Sequence, residues 1–253
     1  MKTTLLTLFS LFLITQVYGQ KIELSFQANS GLFHYSGKSV AATSFINEGA
    51  SDAPGQTNNY TNNPYGSKNG FSYGGDVQAQ FVSKSGFIVG LQAGYELLRS
   101  KVDITYYEPL YFYLFYSAPL EPLGNNPYQV PVKGQAFLQD QDININPYIG
   151  YRLQIKQIKL DLMPGIDLGF NVISYDKGKA TASDGTVYRT DLKLPDAPAD
   201  IRLRFGVAAL YKKWGLTASF ADGLTNLDKN APGAGSPGAH SELIRFGIIY
   251  RIL

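Results

Sequence analysis

Several short segments of this 253-residue chain alternate between apolar residues and a second row, and this second row holds carboxylate and guanidinium side chains among neutral polar residues and glycine. Because successive side chains of a β-strand point to opposite faces, this spacing gathers the charges on one face of each strand. The acids in this row are Glu23, Asp76, Glu96, Asp161 and Asp167, and the bases are Lys159, Arg152, Arg202, Arg204, Arg245 and Arg251. Acids and bases confined in a common interior should pair, because an unpaired buried charge is strongly destabilising.

Two kinds of interior chemistry are open to such a row. Fully paired charges form a static polar plug, whereas incompletely paired charges line a narrow path for ions or protons. An eight-stranded barrel leaves an interior just wide enough for side chains to fill, which favours the plug. The pattern contains no P-loop, Rossmann glycine pattern, zinc cluster or calcium loop, so we predict no catalytic, cofactor-binding or metal site.

Eight segments carry this alternation, and none shows a helical period of comparable quality. The last is the clearest, because Ile244, Ile248 and Ile252 belong to an unbroken apolar row with Arg245 and Arg251 on the other face. The segments begin near Lys21, Phe71, Phe87, Asp142, Ile158, Ile201, Leu216 and Ser241. A strand that is oily on one face and charged on the other suits a barrel with lipid outside and a polar interior.

The connections between these segments alternate in length. Short turns are expected at residues 83–86, 156–157 and 212–215, and long polar connections at residues 36–70, 101–141, 174–198 and 222–240. This predicts an all-β fold, a transmembrane antiparallel up-and-down barrel of eight strands, with three short periplasmic turns and four long extracellular loops. A ten-stranded barrel and a soluble β-fold are the alternatives. Pro147 and Pro164 each predict a bulge or local break.

The beginning of the chain predicts export. Lys2, an apolar run over residues 5–14 and the small residue Gly19 are typical of a secretory signal peptide, here residues 1–19, followed by one barrel domain over residues 20–253. The apolar run is shorter than the roughly 20 residues of a membrane-spanning helix. The chain has no Cys and a net charge of +2, which excludes disulfides and argues against nucleic acid as a partner.

A dense aromatic run lies within the second long connection, and both its strand faces are apolar. Its candidate partner-binding residues are Tyr107, Leu110, Tyr111, Phe112, Tyr113, Phe115 and Tyr116. Solvated loops rarely have this composition, so the run must be covered, either by packing within the protein or by a partner. Separately, His34 and His240 fall at the outer ends of neighbouring strands. A pair of histidines could bind a metal, and His240-Ser241 could serve a lipid hydrolase. The simpler interpretation is two histidines at the membrane interface.

Three stretches resemble a known family: residues 146–151 (NPYIGY), residues 163–169 (MPGIDLG) and the closing residues 245–251 (RFGIIYR). They are similar to the small outer-membrane β-barrels of Bacteroidota called PorT-like, and the overall pattern also resembles the eight-stranded OmpA and OmpX barrels. The resemblance implies an integral protein of the cell outer membrane. One member type of the family is implicated in protein secretion and gliding.

The expected function is that of a non-enzymatic outer-membrane barrel with partner-binding extracellular loops, as an accessory subunit of an envelope or secretion complex. A small porin-like diffusion channel is the alternative, and an outer-leaflet lipid hydrolase is a third. The expected partners are outer-membrane lipid, another envelope protein bound through the extracellular loops, and the barrel-assembly machinery during biogenesis.

Overall fold

The computed structural model describes residues 21–49, 58–109, 129–195, 197–228 and 238–252, so the predicted signal peptide lies outside the described residues. Within these ranges the chain forms eleven β-strands, and no helix there is long and apolar enough to cross a membrane. The strands are β1 Lys21–Ser36, β2 Thr43–Asn47, β3 Tyr60–Thr61, β4 Lys68–Val82, β5 Phe87–Glu108, β6 Val130–Ile155, β7 Ile158–Ala182, β8 Val187–Leu194, β9 Asp200–Tyr211, β10 Trp214–Gly223 and β11 His240–Arg251.

Eight of these strands form one closed antiparallel ring in the order β1, β4, β5, β6, β7, β9, β10 and β11. The first and last strands pair directly, so that Phe26 of β1 lies between Val77 of β4 and Tyr250 of β11. Closure satisfies the backbone donors and acceptors that an open sheet would leave at its edges. The predicted eight-stranded up-and-down barrel is confirmed.

The outer face of the ring is an apolar belt. Ile22, Phe26, Val77, Leu216 and Ile248 are 50–68% exposed, and each projects away from the lumen. Surfaces of this size and polarity are the faces that transmembrane barrels present to lipid. Exposed aromatic residues stand near the short turns, at the level where aromatic girdles of membrane proteins lie, and they are Phe87, Tyr151, Tyr211 and Trp214.

The three short turns lie at one end of the barrel, where β1 begins and β11 ends. Two of them contain only two residues between strands, residues 156–157 and 212–213, since β10 begins at Trp214. Lys156 and Lys212 both have φ of 54°, in the left-handed region that non-glycine residues seldom adopt. Gly86, with φ of 90°, closes the third turn.

Pro147 and Pro164 break one ladder without shifting it. They lie on β6 and β7, where each proline lacks the N–H that the ladder between these strands would use. Tyr148 still pairs with Gly165 between them, in the same register as the pairs on either side. Each proline keeps its partner on the opposite side of its own strand, in β5 and β9 respectively. Of the two predicted outcomes, the structure contains the local break.

Three strands continue well beyond the ring, which corrects the prediction of long loops at residues 101–141 and 174–198. β5 runs to Glu108, β6 begins at Val130 and β7 runs to Ala182, after which β8 returns beside it. The physical reason is a reversal of polarity, which is clearest on β6, where the period of two is unbroken. On β6 the inward positions are polar at Asn144 and Asn146 but apolar at Val132 and Leu138.

Short strands complete this upper region, which we call the extension: the upper parts of β5, β6 and β7 together with β2, β3 and β8. Above Lys68, the first residue of β4, β2 takes the place of β4 beside β5, in parallel pairing from Thr43 and Asp103 onward. Above Asp200, the first residue of β9, β8 takes the place of β9 beside β7. The extension encloses a core of Ile46, Val102, Ile104, Tyr107, Val132, Ala136, Ala180 and Ala182. The extension is therefore apolar inside, like a soluble domain, whereas the ring below it is polar inside and apolar outside.

We predict that a charge in the apolar belt destabilises the protein far more than the same charge on the extension. Ile248→Arg places a guanidinium against lipid near the middle of β11 and should cost about 2–4 kcal/mol. Thr181→Arg, on the exposed outer face of β7 in the extension, is the matched control and should change stability by less than about 0.5 kcal/mol. Urea unfolding from lipid vesicles measures both, and equal costs would contradict a lipid-facing belt.

Candidate functional site

The structure places the ten predicted acidic and arginine side chains inside the barrel, whereas Lys159, from the same predicted row, is partly exposed. Nine have residues that are at most 7% exposed, and the side chain of the tenth, Arg152, is 8% exposed. They form two clusters at different heights in the lumen. The lower cluster, near the short turns, contains Glu23, Arg152, Asp161 and Arg251, and the upper cluster contains Asp76, Glu96, Asp167, Arg202, Arg204 and Arg245.

The lower cluster spans the lumen. Arg152 on β6 donates to Glu23 on β1 through Nη1 at 2.9 Å and Nη2 at 2.8 Å, although these strands are not neighbours in the ring. It also donates to both oxygens of Asp161 at 2.6 Å. Arg251 Nη2 lies 3.0 Å from Glu23 Oε2 on the other side. Glu23 is fully buried between two guanidinium groups, so its carboxylate compensates both.

The upper cluster joins β5, β7, β9 and β11. Arg245 donates through Nη2 to Glu96 at 2.8 Å and to Asp167 at 2.6 Å. Arg202 donates through Nη1 to the same two carboxylates at 3.4 Å each. Arg204 reaches Asp167 only at 4.0 Å and is the least completely paired of the three arginines. The three arginines of this cluster therefore share two carboxylates, Glu96 and Asp167.

Neutral polar side chains fill the space between the clusters. Gln27 donates to Thr217 at 2.8 Å and accepts from Gln92 at 3.2 Å, which links β1 to β10 and β5. Tyr148 donates to Gln80 Oε1 at 2.9 Å across β5, which separates their strands in the ring. The lumen of the described ring is thus crossed by hydrogen bonds at several heights, as expected for a polar plug.

Interior glycines make room for these long side chains. A Cβ atom at Gly169 would lie 2.9 Å from Nη2 of Arg202, and one at Gly247 would lie 2.3 Å from Oδ1 of Asn29. Both distances are shorter than van der Waals contact. Any larger residue at these two positions would displace a member of the hydrogen-bonded interior.

The sequence interpretation missed four buried acids above the plug, which are Asp140, Asp142, Asp176 and Asp200. Three were detectable, because continuing the inward row by steps of two from Asn144 and from Arg202 reaches Asp142, Asp140 and Asp200. Asp176 was not, because a register shift after Gln141 changes the phase of β7 against β6. Burial raises the pKa of Asp176, which accepts the backbone N–H and the hydroxyl of Thr61 at 2.5 and 2.8 Å.

Of the predicted partner-binding residues, the structure describes only Tyr107. Leu110, Tyr111, Phe112, Tyr113, Phe115 and Tyr116 lie outside the described residues. Tyr107 is 8% exposed and stacks on Tyr188 with ring centroids 3.9 Å apart, and the preceding Tyr106 stacks on Phe45 at 4.3 Å. Burial beside Glu48 raises the pKa of Tyr107 well above its ordinary value. The first part of the aromatic run is therefore packed within the extension.

The two histidines lie near each other at the upper ends of paired strands, but the side chains around them do not form a catalytic or metal-binding arrangement. His34 Nε2 is 3.4 Å from Glu242 Oε2, on paired strands β1 and β11. Alternation along β11 places His240 and the fully buried Ser241 on opposite faces, so they are not arranged as a base and a nucleophile. Within the described residues, no group of three or more His, Cys, Asp or Glu side chains is arranged to hold a metal ion.

Comparison with known proteins gives no match to any protein-family model and none to the curated proteins. Among solved structures, Ail of Yersinia pestis covers 92% of this chain and 99% of its own, with 10% identity and a TM-score of 0.34. Neisserial surface protein A covers 90% of this chain and 97% of its own, with 13% identity and a TM-score of 0.35. The outer membrane protease OmpT of Escherichia coli covers 92% of this chain and 96% of its own, with 12% identity and a TM-score of 0.33. The fold assignment rests on the closed strand pairing of this chain.

We predict that removing Glu23 strongly destabilises the barrel. Glu23→Gln leaves Arg251 without its carboxylate and should cost about 3–5 kcal/mol, because breaking a buried pair leaves an uncompensated charge. Lys177→Gln is the control, since its pair with Asp191 is exposed at 3.8 Å and should contribute about 0–1 kcal/mol. Urea unfolding in vesicles measures both.

The double variant Glu23→Gln, Arg251→Gln tests the cause. Removing the second charge should recover part of the loss, since Arg152 still has Asp161. The compensation argument would be contradicted if the double variant lost more unfolding free energy than the two single variants lose in sum.

Proposed function

We propose that this protein is a non-enzymatic integral barrel of the cell outer membrane, in which the extension presents the residues between Glu108 and Val130 to a protein partner. The partner is another envelope protein, and the barrel serves as an accessory subunit of an envelope or secretion complex. The observation that carries the proposal is the extension, because a lipid anchor alone has no need for a second, separately packed core above the membrane.

An outer-membrane location is supported by three features of the chain. The ring combines an apolar outer belt with a polar, charged interior, which is the polarity of outer-membrane barrels. Its three short turns lie at one end and its long connections at the other, the arrangement in which short turns face the periplasm. The first 19 residues have the composition of a secretory signal peptide, which fits delivery across the inner membrane.

The extension gives the partner-binding segment both reach and a rigid base. β6 contains 26 residues, whereas a strand crosses the membrane with about 9–11. The surplus residues on β6 reach on the order of 30 Å beyond the belt, given about 3.3 Å per residue and the usual tilt. Residues 109–129 join the tops of β5 and β6, so the aromatic run starts from the far end of the extension.

The composition of this segment fits a protein partner. Tyr and Phe dominate residues 106–116, and aromatic side chains supply large contact area at the centres of protein interfaces. Tyr107 is already used in the core of the extension, so the candidates that remain for the interface are Leu110, Tyr111, Phe112, Tyr113, Phe115 and Tyr116.

The alternatives have less support. A diffusion channel needs a continuous aqueous path, whereas Arg152 and Arg245 each bridge strands across the lumen with hydrogen bonds of 2.6–2.9 Å. An outer-leaflet lipid hydrolase using His240 and Ser241 needs a base within hydrogen-bond reach of the nucleophile, and these side chains face opposite ways. We therefore favour the binding role over both.

The partner prediction is tested by replacing Tyr111, Phe112 and Tyr113 together with Ser. The protein is drawn from native outer membrane in mild detergent, and its stoichiometric partner is measured by mass spectrometry. Recovery of that partner should fall at least tenfold, while the barrel keeps the heat-dependent shift in SDS-gel migration that marks a folded barrel. Tyr60→Ser, an exposed tyrosine on β3, is the control and should recover the partner normally. Partner recovery that is unchanged in the triple variant would refute the proposed interface.

A second prediction separates the binding role from transport. Purified protein inserted into planar bilayers should give no steady unitary conductance, because the paired charges fill the lumen. Insertion is verified by recovering protein with folded, heat-modifiable migration from the same membranes. Steady unitary currents from inserted protein would instead support the diffusion channel.

A further inference from the structure

A cavity of about 430 Å³ lies where the ring meets the extension. Arg202 of the upper cluster lies at its charged side, together with Asp140, Asp142 and Asp200, and aromatic and aliphatic side chains form its remaining walls. The volume falls within the range of about 300–1,000 Å³ that is common for small-molecule sites. None of the functions considered above uses this cavity.

Asp200 supplies the one carboxylate oxygen of these three acids that has no hydrogen-bond donor in the described structure. Its Oδ2 accepts from Arg202 Nε at 2.6 Å, whereas its Oδ1 is buried and unpartnered. The residue is only 5% exposed. A buried acceptor without a donor is costly, and a ligand that supplies the donor removes that cost.

The other two acids are already satisfied. Asp140 accepts the Tyr35 hydroxyl at 2.6 Å and the Ser174 hydroxyl at 2.5 Å. Asp142 accepts from Asn171 at 3.0 Å and from Arg202 at 3.3 Å. Among the three buried acids, the free acceptor oxygen is therefore Asp200 Oδ1.

The cavity also has apolar walls. Phe33, Tyr35, Leu98 and Leu138 belong to one buried cluster, and Tyr65 packs edge-on against Tyr35 with ring centroids 5.1 Å apart. Burial, with a further contribution from the carboxylate of Asp228, raises the pKa of Tyr65 to about 12, so this ring carries no negative charge at neutral pH. The cavity thus combines a carboxylate acceptor with aromatic and aliphatic walls.

We propose that this cavity binds a small organic ammonium ion that carries an apolar group. The ammonium N–H donates to Asp200 Oδ1, and the apolar group packs between the Tyr65 and Leu138 walls. Among the described lining residues the basic side chain is Arg202, which is already paired with Asp142 and Asp200, so an anion finds no free positive charge there whereas a cation finds carboxyl oxygens. A divalent metal requires several free oxygen ligands, whereas the three buried acids offer one free oxygen and the walls are apolar.

The test is calorimetric titration of the full-length folded barrel, in zwitterionic detergent, with 2-phenylethylammonium. The neutral 2-phenylethanol has a similar size and apolar group, and serves as the matched probe without charge. Asp200→Asn keeps the shape of the site and removes its charge. Asp222→Asn makes the same change on the exposed outer side of β10, away from the cavity. Ala197→Phe fills the cavity without changing any charge.

We expect saturable 1:1 binding of the ammonium ion, at least about tenfold weaker in Asp200→Asn, unchanged in Asp222→Asn and abolished in Ala197→Phe, with no saturable binding of the alcohol. If Asp200→Asn does not fold, Ala197→Phe decides, since binding that survives there refutes the site. Absence of saturable binding to the unmodified protein, or equal affinity for the alcohol, also overturns the proposal. None of these readouts involves the partner-binding segment, so this inference and the proposed function fail independently.

Discussion

The structure depends on one constraint, which is that a sheet immersed in lipid must satisfy its backbone hydrogen bonds internally. Pairing of β1 with β11 meets that requirement by closing the ring, and everything else follows from closure. A ring of eight strands fixes a narrow lumen, and period-two alternation then turns one side-chain row inward and the other into lipid. Pro147 and Pro164 show how firmly the pairing is specified, since each removes a donor from one ladder without moving its register.

The narrow lumen determines how its charges are arranged. Little water fits among side chains that already fill the space, so neutralisation must come from other side chains, and those lie on strands across the lumen. Arg152 with Glu23 and Arg245 with Glu96 join strands that are not neighbours in the ring, so the ion pairs tie opposite walls together. Such pairs add less stability than their Coulomb attraction suggests, because desolvation opposes it. Their clearest consequence is a fixed interior geometry, which argues for a scaffold more than for a conduit.

Alternation alone was enough to predict the eight strands, their inward and outward faces and the inward position of the charges. It failed above the rim because the criterion used there, apolar outside and polar inside, applies only in lipid. Above Leu138 the same period of two continues with reversed polarity, since the environment outside changes to water and the interior must supply an apolar core. The replacement of β4 by β2 and of β9 by β8 was beyond prediction, because it depends on where neighbouring strands end. The free oxygen of Asp200 depends on hydrogen-bond geometry that no spacing encodes.

The reversal of polarity also explains why the junction between ring and extension is where a cavity forms. Below it, inward side chains are polar and bond to one another across the lumen, and above it, inward side chains are apolar and packed together. At the boundary neither rule is complete, so carboxylates such as Asp200 and aromatic side chains such as Tyr65 line the same unfilled space. A ligand that is charged at one end and apolar at the other matches both halves of that boundary at once. The junction therefore has a physical reason to bind such a molecule, whether or not a partner engages the far end of the extension.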